Sequence, residues 1–173
     1  PDQSVNAHVM TLEGERFAAY RGQSYGVDII AIDRFGLRVR EGIQPEDPSR
    51  YLAYGLTVRA PCAGTVVAAV DGIPDMPVPQ TDRAHMAGNH LIIACGQAQI
   101  IIGHLIRGSL GVGEGSRVKP GDTIGKIGNS GNSNEPHLHI HAQSAGTAAA
   151  PLSGNPMQVT FDGRVPRRNS IFR

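Results

Sequence analysis

The sequence contains no tryptophan, and aromatic residues make up only 5% of its 173 residues. A surface that stacks aromatic rings against sugars is therefore not evident. The formal net charge is +1, so we expect no nucleic-acid partner and no binding to a charged membrane surface. No apolar run approaches the ~20 residues that cross a membrane, so we also expect no membrane span. The length suits one domain with a hydrophobic core.

Cysteine is almost absent as well. Cys62 and Cys95 are the two cysteines of the chain. An even number in a chain rich in turns permits one disulfide bond, but two buried free thiols explain the same pair. The sequence leaves both alternatives open.

Glycine and proline, in contrast, are abundant, with 22 and 12 residues. Together with apolar alternation this composition predicts an all-β protein of short strands joined by turns, without a long amphipathic helix. The predicted strands cover 27–33, 56–60, 65–70, 91–95 and 99–104. A hairpin is expected about Gly96, and a second about Pro120-Gly121, between Val118 and a strand that begins near Thr123. The proline-rich stretch 71–88 reads as a long loop of the kind that borders binding grooves.

Three histidines recur at alternate positions near the end of the predicted sheet. Successive side chains of a strand point to opposite faces, so His137, His139 and His141 share one face. A half-exposed strand edge that happens to carry histidines would look similar. Three imidazoles on one face nevertheless favour metal binding or proton transfer.

Two further polar residues interrupt apolar strands. Asp28 lies within the predicted strand 27–33, where an isolated buried carboxylate would be costly, although a turn cap or salt bridge would also explain it. His104 ends the strand 99–104. A carboxylate with several imidazoles is a ligand set that zinc favours, and a catalytic zinc site keeps one position open for water.

Several segments occur in the order found in the lysostaphin-type, or LytM-like, zinc metallopeptidases, and the sequence resembles that family over about residues 20–143. The segments are Ser24-Tyr25-Gly26-Val27-Asp28, residues 58–66, Gly88-Asn89-His90, Gly103-His104-Leu105, residues 118–125, and residues 128–133 leading to Pro136-His137-Leu138-His139.

The resemblance implies an all-β hybrid of barrel and sandwich with a groove over a central antiparallel sheet. It also implies a zinc metalloendopeptidase that acts on peptide bonds of bacterial cell-wall peptidoglycan, outside the cytoplasm. Asp28 and His139 would be zinc ligands. His104 and His137 would be the catalytic histidines, assisting a zinc-activated water as it attacks the scissile carbonyl. We expect one domain over 1–173, with a core at about 20–143 and an irregular C-terminal extension at 144–173.

One position departs from the family pattern. The family has His-x-x-x-Asp at its first ligand, and this chain has Ser24 four residues before Asp28. A hydroxyl is a poor zinc ligand at neutral pH. Zinc could bind weakly through Asp28, His139 and waters, another histidine could substitute, with His8 or His90 as candidates, or the domain could be a metal-free peptide-binding or regulatory module.

His141 is not expected to supply the missing ligand. It lies about 7 Å beyond His139 along the strand, which we judge too far to complete the same metal site. A lipoyl- or biotinyl-carrier domain is disfavoured, because neither Lys119 nor Lys126 lies at a tight hairpin tip.

Overall fold

The computed structural model describes the backbone of residues 2–7 and all atoms of residues 14–172. Eleven β-strands and two 3₁₀ helices are found in these ranges. The helices are Glu15–Tyr25 and Pro48–Arg50. The strands are β1 Asp2–Ala7, β2 Val27–Ile32, β3 Thr57–Arg59, β4 Gly64–Val70, β5 Asn89–Cys95, β6 Ala98–Leu105, β7 Arg117–Val118, β8 Thr123–Lys126, β9 Leu138–Gln143, β10 Pro156–Met157 and β11 Ile171–Phe172. Within these ranges no helix is long and apolar enough to cross a membrane.

Nine of the strands form one antiparallel sheet in the order β11-β1-β2-β9-β6-β5-β4-β7, with β10 paired to β9 outside this path. β3 and β8 form a separate two-stranded sheet. The predicted all-β, antiparallel fold is therefore confirmed. The described strands form an open sheet and a small second sheet, and they do not close into a barrel.

The main core lies between these two sheets. Ile102, Ile140 and Leu91 of the large sheet pack in one cluster with Val58 of β3 and Ile124 of β8, and all five are almost fully buried. Because side chains alternate along a strand, the residues between these apolar positions point to the opposite face of the large sheet. That face carries the histidines of β9.

The opposite face is partly covered by the first 3₁₀ helix and by the chain after β9. Leu152 packs there with Ile92 and Ile101, and its carbonyl accepts a hydrogen bond from the backbone N–H of Gly22 at 3.0 Å. The segment after residue 143 also contributes β10 and β11, for which the sequence showed no strand pattern.

The two hairpin predictions have different outcomes. β5 and β6 form the expected hairpin, with Cys95 opposite Ala98 and Gly96 at φ 63°. The hairpin about Pro120-Gly121 is wrong, because β7 pairs with β4 whereas β8 pairs with β3. The turn instead binds a neighbouring loop, where Gly121 N–H donates to the carbonyl of Ala60 at 2.9 Å.

A disulfide bond joins Cys62 to Cys95, with the two Cα atoms 6.1 Å apart. It connects the turn before β4 to the last residue of β5, across 33 positions of the sequence. The alternative of two free thiols is thereby wrong. The bond ties together two neighbouring strands of the large sheet at one end.

Replacing both cysteines, as in Cys62→Ala with Cys95→Ala, should lower the free energy of unfolding by about 3–4 kcal/mol, since the bond restricts a loop of this length in the unfolded chain. Urea unfolding with and without dithiothreitol measures the effect. The reductant should destabilise the native chain and leave the double variant unchanged. Equal midpoints for the native chain in both conditions would contradict the prediction.

Candidate functional site

The register of β2, β9 and β6 brings an acidic and a basic residue together at the centre of the sheet. Asp28 on β2 is directly opposite His139 on β9, and His139 is opposite Gly103 on β6. Asp28 Oδ1 lies 2.9 Å from Nδ1 of His139 and 3.4 Å from Nε2 of His137. One carboxylate oxygen therefore contacts two imidazoles.

His104 joins this group through an unusual backbone conformation. The pairing of β5 with β6 shifts register between Asn89 and Leu91, and His104 in the bulged region has a φ of 60°. Such a left-handed conformation at a non-glycine residue costs of order 1–3 kcal/mol and is often found at functional sites. Two backbone hydrogen bonds hold it: His104 N–H donates to Ala87 O, and His104 O accepts from Gly128 N–H, both at 2.9 Å.

This conformation places the His104 ring beside the other two. Its centroid lies 4.7 Å from that of His137 and 5.7 Å from that of His139. The structure thus brings together all four residues that the sequence singled out, namely Asp28, His104, His137 and His139. Their roles stay predictions.

Backbone carbonyls fix the orientation of two of the rings. Nδ1–H of His104 donates to Ser130 O at 2.8 Å, and Nδ1–H of His137 donates to Glu135 O at 2.7 Å. A neutral imidazole has one donor and one acceptor nitrogen, so these bonds leave Nε2 of each ring as the proton acceptor. Sequence reasoning missed both carbonyls, because a backbone contact has no signature in residue type.

The loop that carries these carbonyls is held by buried polar residues. Ser130 is fully buried, and its hydroxyl accepts from Asn89 N–H at 2.9 Å and donates to Leu105 O at 2.8 Å. The neighbouring Gly131 has a φ of 75°, and a Cβ there would collide with the backbone of Gly88. Only glycine permits this close approach of two chain segments.

The environments of the two catalytic candidates differ. Burial lowers the pKa of His104 well below its usual range, and the neighbouring His137 and His139 rings lower it further. Burial also lowers the pKa of His137, but the Asp28 carboxylate and the Glu135 carbonyl outweigh it, so that the pKa is raised. These directions describe the protein without a cation, whose own charge would lower both values.

The donor atoms of the cluster fit a zinc ion in kind and in proximity. One ring nitrogen each of His104, His137 and His139 lies within 4.8 Å of the others, and Asp28 adds a carboxylate oxygen. Imidazole and carboxylate are the ligands that zinc takes in catalytic sites.

Ser24, at the position where the family has its first ligand, is 1% exposed, and its hydroxyl donates to Arg21 O at 2.7 Å.

The proposed substitutes for the missing ligand fall in different places. His8 lies outside the described residues. His90 lies on β5, separated from β9 by β6, and its Nδ1 bonds Gly88 O at 2.8 Å. His141 is closer than its distance along the strand suggested, because its Nδ1 lies 2.9 Å from Nε2 of His139.

Residues 51–151 match the model of a protein family described as peptidase family M23. The chain belongs to peptidase family M23. The matched residues of this M23 chain include His104, His137 and His139, whereas Ser24 and Asp28 precede them. No curated protein sequence is significantly similar to the chain.

Solved structures of peptidases resemble the M23 chain in fold. The catalytic domain of the antimicrobial peptidase lysostaphin from Staphylococcus simulans is 22% identical, with 73% of this chain and 71% of that chain covered and a TM-score of 0.47. A point mutant of the catalytic domain of the prophage-encoded M23 protein EnpA from Enterococcus faecalis is 20% identical, with 70% and 68% covered and a TM-score of 0.46. LytU is 26% identical, with 70% and 83% covered and a TM-score of 0.44.

Replacing Ser24 by histidine should tighten zinc binding at least tenfold, or ~1.4 kcal/mol, by adding an imidazole four residues before Asp28. The chain passes close to His139 here, since a Cβ at Gly26 would lie 2.8 Å from its Cε1. Competition with a chromophoric chelator measures the affinity.

Ser24→Gln, of similar size but without a good zinc donor, is the matched control for Ser24→His and should show no gain. His139→Ala in the Ser24→His background should abolish it. A folded Ser24→His variant that binds zinc no better than the native chain would show that position 24 is not adjacent to the metal.

Proposed function

We propose that this protein is a zinc metalloendopeptidase that cleaves peptide bonds of bacterial peptidoglycan. The observation that carries the proposal is the convergence of one carboxylate and three imidazoles at the central strands of an M23 chain, with His137 directly before β9. Asp28 contacts His137 and His139, and His104 packs against both rings. Isolated buried polar groups are costly, so a cluster of this kind favours a role in chemistry.

Asp28 and His139 would hold the metal, through the carboxylate oxygen and the ring nitrogen that face each other at 2.9 Å. The chemistry that zinc supplies when bound is Lewis-acid polarisation of the scissile carbonyl and activation of water at neutral pH. The remaining steps belong to side chains of the protein.

His137 is suited to accept a proton from the attacking water. Its Nδ1–H donates a hydrogen bond to Glu135 O, so Nε2 is the nitrogen that takes the proton. Nε2 lies 3.4 Å from Oδ1 of Asp28. Asp28 would stabilise the resulting imidazolium by its negative charge. His137 can then return the proton to the leaving amine.

His104 has a complementary role. Its Nδ1–H donates to Ser130 O, and the bulged backbone fixes its ring. Its Nε2 would accept a hydrogen bond from the attacking water, whose first proton passes to His137. When the oxygen of that water has bonded to the scissile carbon, its second proton would pass to Nε2 of His104, which then donates a hydrogen bond to the oxyanion of the tetrahedral intermediate.

Membership of the family supports peptidoglycan as the substrate and a location outside the cytoplasm. Peptidoglycan peptides lie outside the cytoplasm, and the Cys62–Cys95 disulfide supports an oxidising environment for this chain.

A cavity of about 240 Å³ lies on the histidine face of the sheet, with Ala87 in its wall. None of the four cluster residues lines this cavity, although the carbonyl of Ala87 accepts a hydrogen bond from the backbone N–H of His104; the cavity would hold a part of the peptide away from the scissile bond.

A metal-free peptide-binding module is the second candidate. Ser24 favours it, because the residue at the first ligand position has its hydroxyl bonded to a main-chain carbonyl. Such a module would keep the groove and bind cell-wall peptides without cleaving them.

Replacing either proposed catalytic histidine, as in His104→Gln or His137→Gln, should lower kcat/KM on peptidoglycan fragments by about 10²–10⁴-fold, the usual contribution of a general acid or base. Bound zinc should be retained in both variants. Mass spectrometry of digested peptidoglycan measures cleavage, and elemental analysis measures zinc.

His139→Ala should lose both zinc and cleavage, whereas Glu114→Gln on an exposed loop should change neither. Protein that carries one equivalent of zinc and binds peptidoglycan but releases no peptide would contradict the enzyme. Protein that binds peptidoglycan while taking up no zinc would favour the metal-free binding module.

A further inference from the structure

His141 is a fully buried histidine for which the proposed reaction has no role. It lies on β9 two residues after His139, on the same face, and is opposite Ile101 of β6. Its Nδ1 is 2.9 Å from Nε2 of His139, and the rings meet edge to face with centroids 5.1 Å apart. An imidazole in the sheet interior is thus aimed at a proposed zinc ligand.

The two nitrogens of His139 have different partners. Nδ1 faces Asp28 Oδ1, and Nε2 faces His141 Nδ1, each at 2.9 Å. The two nitrogens of an imidazole point away from each other, so a metal held by Asp28 and Nδ1 of His139 cannot also be bound by His141 in this arrangement. His141 therefore acts on the metal site through His139.

The effect of His141 on the metal site depends on which ring nitrogen of His139 carries the hydrogen. A ring nitrogen that binds a metal must offer its lone pair, so Nδ1 must be unprotonated and Nε2 must carry the hydrogen. The Nε2–H group then needs an acceptor, and His141 Nδ1 is within hydrogen-bond distance of it. In the protein without metal, Nδ1–H of His139 can instead donate to Asp28, and His141 Nδ1–H can donate to Nε2.

We propose that His141 is a positioning residue that holds His139 with Nδ1 directed at the metal and Nε2–H bonded to His141. The proposal rests on the proposed role of His139 as a zinc ligand. Imidazole suits position 141 because its Nδ1 can either accept or donate a hydrogen bond. It can therefore stay hydrogen-bonded to Nε2 of His139 both with and without the metal. Outer partners of metal-bound histidines typically change metal affinity by 10–100-fold.

His141→Leu, which removes the hydrogen bond but keeps an apolar side chain of similar volume, should weaken zinc binding by about 10–100-fold. His141→Asn is the conservative rescue, because its amide can place an acceptor near the position of Nδ1, and it should restore most of the affinity. Competition with a chelator measures binding. Thermal unfolding of the metal-free variants reports any loss of folding, and His141→Met replaces the leucine variant if that one does not fold.

A second measurement reads the tautomer of His139 directly. Long-range ¹H–¹⁵N NMR spectra of cadmium-loaded protein should show the metal coupled to Nδ1 of His139 and a proton on Nε2. His141→Leu should lose this single tautomer, and His141→Asn should keep it.

Metal coupling to Nε2 of His139, or a folded His141→Leu variant with native zinc affinity and the native tautomer, would overturn the proposal. Peptidase activity is not needed for either measurement. Failure of the proposed reaction with an intact effect of His141 on zinc affinity would therefore refute the enzyme and leave the positioning role standing.

Discussion

The site depends on the pairing register of β9 with its two neighbours. Side chains alternate between the faces of a sheet, so a slip of one residue would move His139 and His141 into the apolar core and Ile140 onto the site. The apolar residues of the core resist such a slip, because Ile140 and Ile102 are almost completely buried between the two sheets. Hydrophobic packing on one face of the large sheet thus sets the positions of the polar groups on the other.

Much of this arrangement could be predicted from the sequence. Short apolar and alternating runs located β2, β3, β4, β5, β6 and β9, and the Gly96 hairpin followed from its turn residue. The same period placed His139 and His141 on one face. These predictions succeeded because they depend on local chain geometry, which residue type largely controls. The prediction of a hairpin about Pro120-Gly121 was wrong because β7 and β8 pair with strands that are distant in the sequence, β4 and β3. A local sequence pattern contains no information about such partners.

Contacts of the site that depend on the three-dimensional path of the chain were beyond the sequence. The carbonyls of Ser130 and Glu135 orient two histidines, yet any residue type carries a carbonyl. The distance between His139 and His141 was misjudged for a related reason. The repeat of a strand gives the spacing of Cα atoms, whereas the rings lean toward each other and bring their nitrogens to 2.9 Å. The resemblance to a family pointed to the four candidate residues, whereas the contacts that hold them depend on the three-dimensional path of the chain.

The pairing of Asp28 with His139 joins residues 111 positions apart, and this separation affects when the site can exist. A ribosome makes the chain from its N-terminus, so Asp28 and His104 are synthesised well before His137 and His139. β9 lies between β2 and β6 in the sheet. The sheet is therefore continuous only after β9 has been synthesised and has paired with both. A nascent or prematurely terminated chain that stops before residue 137 therefore lacks two of the four residues of the cluster, His137 and His139. The cluster can therefore assemble only after β9 has been synthesised, although β2 and β6, which flank β9 in the sheet, are already present.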